Sequence, residues 1–136
     1  MSKTWLITGA SSGLGREMTA QLLKRGDRVV ATVRREEALA DLARQHGASL
    51  TVLKLDVTDV GRTRSAMEDA FAKAGRIDVV VSNAAYGLFG AAEELTDEQI
   101  EHQIATNLTG SIQVIRAALP HLRRQPSSAM VAITTA

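Results

Sequence analysis

The chain has 136 residues, 45% of them hydrophobic and 23% charged, which is enough for one domain with a buried core and too apolar for a disordered chain. Sixteen basic residues against 15 acidic ones, a formal net charge of +1, leave no electrostatic footprint for nucleic acid. The absence of cysteine excludes disulfides, zinc-thiolate sites and thiol nucleophiles, and no apolar run approaches the ~18 residues of a membrane span.

Short β-rich runs alternate with longer stretches at helical spacing, the pattern of βαβ units on a parallel sheet. Strands are predicted at Thr4–Thr8, Arg28–Val33, 50–55, 78–82 and 129–134, and the Val/Ile/Leu content of the second, third and fourth predicts burial on both faces. Between the first two, Leu14, Met18 and Leu22 recur every fourth residue and Lys24-Arg25-Gly26 marks a helix end. A second helix is expected over 36–46. A third is expected over Val60–Ala74, with Ala66, Met67, Ala70 and Phe71 on one face. The segment 83–95, with Gly87 and Gly90, reads as a loop at the carboxyl edge of the sheet. Thr96-Asp97-Glu98-Gln99 then forms a capping box for a long helical region whose apolar stripe is Ile100, Ile104, Leu108, Ile112 and Ile115. The expected architecture is α/β: a doubly wound, Rossmann-type parallel sheet of five strands with flanking helices, forming a single domain over 1–136.

Directly after the first strand stands Thr8-Gly9-Ala10-Ser11-Ser12-Gly13-Leu14-Gly15, opening into the first helix. In that context Gly9 permits a tight turn, Gly13 lets the backbone approach a pyrophosphate, and Gly15 allows close helix-to-strand packing. Ser11, Ser12 and Leu14 complete the candidate phosphate site. A P-loop is disfavoured because the segment ends Gly13-Leu14-Gly15-Arg16 rather than in Gly-Lys-Ser/Thr.

This Thr-Gly-x-x-x-Gly-x-Gly loop resembles that of the short-chain dehydrogenase/reductase family. Further family motifs follow in order: Leu55-Asp56-Val57 after the third strand, Ser82-Asn83-Ala84-Ala85 after the fourth, and Asn107 in the long helix. The resemblance implies that Asp56 and Val57 lie against an adenine, although Asp56 also reads as a turn cap. It places Asn83 and Ala84 at the cofactor, with Asn83 stabilising the central sheet more than touching substrate; Ala85 replaces the family's glycine. At the end of the second strand, where an acidic residue would select NAD, the chain has Val33 followed by Arg34 and Arg35. A guanidinium fork suits a 2′-phosphate, so NADP(H) is the expected cofactor, with NAD(H) possible; the plainer alternative pairs both arginines with Glu36 and Glu37.

The family's reaction moves a hydride between cofactor and a carbonyl or alcohol substrate, using a Tyr-x-x-x-Lys pair, a Ser and an Asn. Asn107 is the one catalytic candidate that matches clearly. Tyr86, the sole tyrosine, is followed four residues on by Gly90, and reads as a pocket wall or as an exposed loop aromatic. Thr135 stands near the position of the family's Ser, or that Ser lies just beyond. His46, His102 and His121 show no metal-ligand spacing and are read as solvated. The resemblance therefore implies an NADP(H)-dependent oxidoreductase present as its cofactor-binding portion, inactive by itself; a non-enzymatic NADP(H)-binding regulatory or scaffold module is the alternative. A cytoplasmic homo-oligomer with a small-molecule substrate, no nucleic-acid partner and no membrane partner is expected.

Overall fold

The computed structural model describes residues 1–134, so Thr135 lies outside the described residues. Five parallel strands, β1 (Thr4–Thr8), β2 (Arg28–Val33), β3 (Leu50–Lys54), β4 (Val79–Ser82) and β5 (Ala129–Ala132), form one sheet in the order β3-β2-β1-β4-β5. The order reverses between β1 and β4. The segments leaving these two strands therefore turn to opposite sides, and a crevice opens at their carboxyl ends. β2 and β4 are buried on both faces, as expected, whereas β3 occupies an edge and keeps Thr51 and Val52 half-buried.

The helices are α1 (Gly13–Lys24), α2 (Ala40–His46, entered through a 3-10 turn at Glu36–Leu39), α3 (Val60–Ala74), α4 (Asp97–Ile104) and α5 (Ser111–Leu122). Strand alternation divides the core in two. Ile7, Val29, Ala31, Val79 and Val81 pack with Leu22, Leu23, Leu39 and Leu42 of α1, the 3-10 turn and α2. Leu6, Val30, Leu53 and Val80 pack with Ala66, Met67, Ala70 and Phe71 of α3 and Val114, Ala118 and Leu122 of α5. No helix of the described residues is long and apolar enough to cross a membrane.

Two predicted stripes are rotated from their true faces. In α1 the buried residues are Gly15, Thr19, Leu22 and Leu23, and Leu14 is 56% exposed. In the long helical region the core takes Gly110, Val114, Ala118 and Leu122, while Ile104, Leu108 and Ile112 are exposed at 50%, 57% and 46%. Each inward face begins with a glycine because the helix backbone there comes close to a neighbouring segment. At Gly110 an added Cβ would come within 2.8 Å of Val57 Cγ2. The long region is also not one α-helix: Ala105–Gly110 forms a π-helical turn between α4 and α5, a feature with no strong sequence signal.

Candidate functional site

The crevice is built from the strand ends upward. β1 runs into Gly9, whose φ of +66° is a left-handed conformation that favours glycine, and a Cβ there would stand 2.7 Å from Ala84 Cα. Gly13 also has positive φ, +55°, with nothing within 4 Å of where its Cβ would be. The space before it is open. Ser12, which precedes α1, makes no capping bond through its side chain, and the first turn of α1 contains no acidic residue. The positive end of the helix therefore meets no carboxylate of its own first turn. Gly15 packs against the turn rather than against a strand, since a Cβ there would collide with the Gly9 carbonyl and the Asn83 amide.

The hydroxyl of the threonine that opens the glycine motif, to which the sequence assigned no role, ties this turn to β4. Thr8 Oγ1, on a fully buried residue, accepts from the backbone N–H groups of Asn83 at 2.9 Å and Ala84 at 3.1 Å. Asn83 Nδ2 returns the link by donating to the Thr8 and Gly9 carbonyls at 3.1 and 3.2 Å. Asn83 is thus spent on joining β1 to β4, and Ala84 closes over Gly9.

On the β2 and β3 side, Arg34 and Asp56 line the same crevice. Asp56 Oδ1 accepts from Thr58 N–H at 2.9 Å and from Thr58 Oγ1 at 2.8 Å, so the carboxylate does cap a turn while remaining on the crevice wall. Partial burial pushes its pKa up, but the two Thr58 bonds, the Arg34 charge and His102 outweigh that and hold it below the ordinary carboxylate value. None of the four ion pairs among the described residues involves Arg34 or Arg35. The alternative in which Glu36 and Glu37 occupy them is not what this structure contains.

The third wall comes from the loop after β4 and from the helical region. Asn107, inside the π-helical turn, grips the Tyr86 backbone on both sides: its Oδ1 accepts from the Tyr86 N–H at 3.0 Å and its Nδ2 donates to the Tyr86 carbonyl at 2.8 Å. Tyr86 Oη lies 2.7 Å from His102 Nδ1. His102, read from sequence as merely solvated, is exposed but lines the crevice, and His121 stacks on Phe71 with ring centroids 4.5 Å apart. Thr106, also on the wall, has a buried hydroxyl without a partner among the described residues, the kind of group that a bound ligand or water satisfies.

The resulting crevice has a volume of about 530 Å³, within the usual size of a small-molecule site. Of the residues singled out from sequence, Gly9, Ser11, Ser12, Gly13, Leu14, Arg34, Asp56, Val57, Asn83 and Ala84 line it. Gly15, Arg35 and Asn107 do not; Gly15 lies beneath it, Arg35 is exposed beside it, and Asn107 acts on it through Tyr86. Tyr86, read from sequence as a pocket wall or an exposed loop aromatic, lines it, and Thr32, Leu55, His102 and Thr106 join the wall without having been predicted as site residues.

The model of the short chain dehydrogenase family matches residues 3–136. Oxidoreductase BOA17 of Botryotinia fuckeliana is 40% identical over 128 residues, which cover 93% of this chain and 47% of that protein. Among solved structures, a short-chain dehydrogenase from Streptomyces avermitilis superposes with a TM-score of 0.93 at 38% identity, covering 98% of this chain and 49% of the other. ElxO, solved with NADP bound, superposes with a TM-score of 0.89 at 29% identity, covering 99% and 56%. The chain spans about half the length of the relatives it matches. With the family matched along nearly its whole length and the same fold in related structures, the chain belongs to the short-chain dehydrogenase family.

Proposed function

We propose that these residues are the cofactor-binding portion of an NADP(H)-dependent oxidoreductase that interconverts a carbonyl and an alcohol. On this reading the glycine turn and the amino end of α1 hold the pyrophosphate. Asp56 and Val57 flank the adenine beside Ala84 and Thr106, and Arg34, helped by Arg35 and Ser12, meets the 2′-phosphate. A bound nicotinamide supplies or accepts the hydride; this chain's own task is to bind it, orient it and, through Asn107 and Tyr86, shape the wall nearest the reacting end. The proton donor and most of the substrate-binding groups come from outside these 136 residues. The observation that carries the reading is Arg34: it lines the crevice just after β2, engaged in none of the described ion pairs, directly following Val33, which stands where a ribose-binding carboxylate would select NAD(H). ElxO, of the same fold, binds NADP.

The test is the pair of dissociation constants for NADPH and NADH with and without Arg34→Asp. The substitution should weaken NADPH at least tenfold, since a charge-assisted phosphate contact contributes roughly 1.5–3 kcal/mol, and should leave NADH equal or tighter. An unchanged ratio would defeat the NADP(H) preference. The reading extends to self-association. The exposed stripe of Ile100, Ile104, Leu108 and Ile112 lies between acidic residues at the start of α4 (Asp97, Glu98, Glu101) and basic ones toward and just after the end of α5 (Arg116, Arg123, Arg124). Two copies pairing these helices antiparallel would cover the apolar strip and set unlike charges together.

A further inference from the structure

Arg16 follows the last glycine of the turn, in the first turn of α1, yet its side chain leaves the crevice altogether. One guanidinium nitrogen donates to the Ala38 carbonyl at 2.9 Å, and another pairs with the Asp41 carboxylate. Both partners belong to the segment that follows Arg34 and Arg35: Ala38 lies in the 3-10 turn and Asp41 in α2. The hydrogen bond from Arg16 is the main cause holding the Asp41 carboxyl below its ordinary value.

The rest of that segment is pinned in ways that make this contact consequential. Before it, the Leu55 N–H donates to the Val33 carbonyl at 2.9 Å and fixes the end of β2 to the chain leaving β3. After it, Leu39 is fully buried, and the Ala38 N–H donates to the Arg35 carbonyl at 3.1 Å. Arg34 and Arg35 therefore sit on a two-residue bend between a fixed strand end and a turn whose outer side is held by Arg16. The segment also carries three carboxylates, those of Glu36, Glu37 and Asp41. Neither arginine of the bend is engaged in an ion pair among the described residues, while Arg16 holds Asp41 on the far side of the turn.

We propose that Arg16 is a positioning residue for cofactor choice: through Ala38 and Asp41 it holds the segment after β2 so that Arg34 meets a 2′-phosphate, a role that rests on the NADP(H) reading above. Arg16 touches neither phosphate nor ribose. Its loss should thus be felt in discrimination between the two dinucleotides, while the glycine turn continues to hold their shared pyrophosphate.

Dissociation constants of NADPH and NADH, measured by fluorescence titration of the full chain, test this in Arg16→Ala, Asp41→Ala and Arg34→Asp proteins. Arg16→Ala should weaken NADPH about tenfold and Asp41→Ala about threefold, because the Ala38 bond survives in the latter; NADH should change less than about twofold in both. Equal weakening of the two cofactors would show a general structural part and overturn the proposal, as would no change in either. Asp41 is 55% exposed, so its variant decides the matter if Arg16→Ala fails to fold. A lost preference in Arg34→Asp beside unchanged ratios in the other two overturns the role of Arg16 alone. An Arg34→Asp protein that keeps its preference overturns the cofactor reading and this role with it.

Discussion

Replacing Thr8 by valine isolates the hydroxyl that joins the two halves of the crevice. The side chains are nearly equal in volume and Thr8 is fully buried, so packing changes little, but the N–H groups of Asn83 and Ala84 both lose their acceptor. A buried donor left unpaired costs ~1–3 kcal/mol, and these two residues are half-buried, so water partly compensates; the sum is about 2–3 kcal/mol. For a domain whose total stability is ~5–15 kcal/mol, with a urea dependence of about 2 kcal/mol per molar, the unfolding midpoint should fall by roughly 1–1.5 M. Trp5, the single tryptophan, reports the transition: its indole N–H donates to Asp27 at 3.1 Å and is released on unfolding. Thr8→Ser keeps the acceptor and should fall by less than half as much. A Thr8→Val midpoint within about 0.3 M of the parent at unchanged slope would refute the reasoning, because it would mean that the two N–H groups never depended on this hydroxyl.

Acid should destabilise the amino-terminal edge of the sheet first. Burial raises the Asp27 pKa, but bonds from the Lys3 N–H, Arg25 and Trp5 outweigh it, and the Asp78 carboxyl is lowered in the same way by the Thr4 N–H and Arg76. Both folded values lie below the unfolded ones, so their stabilisation is full above the ordinary carboxylate range and is lost as pH falls through the folded values; Asp27→Asn should flatten the acid limb of a stability–pH profile. Gly110→Ala places a Cβ against Val57 Cγ2 and should cost about 2 kcal/mol, or roughly 8 °C in melting temperature; an unchanged melting curve would show that α5 moves aside freely. Ile104→Glu, at a 50% exposed position, should leave the far-ultraviolet spectrum intact and convert a dimer to a monomer in light scattering; a dimer that persists would place the contact elsewhere.

The strand–helix alternation, the glycine turn between β1 and α1, and the boundaries of β1, β2 and α3 are legible in the chain itself, because these are local matters of periodicity, φ > 0 and capping. The Thr96–Gln99 box was legible for the same reason: both of its bonds span three residues. Ten of the candidate site residues meet in one crevice since each sits at or near a strand's carboxyl end, and strand ends converge in a doubly wound sheet. Which face of each helix turns inward is settled only by packing. An apolar stripe on α4 and α5 looks like a core face to any local count, yet the sheet accepts the face with Gly110, Val114 and Ala118, whose small side chains let the helix approach. The π-helical turn that presents Asn107 to Tyr86, and the reach of Arg16 to Asp41 across 25 positions of chain, likewise depend on neighbours far away in sequence. Those long-range contacts set the final geometry of the crevice, and none of them leaves a periodic trace in the chain.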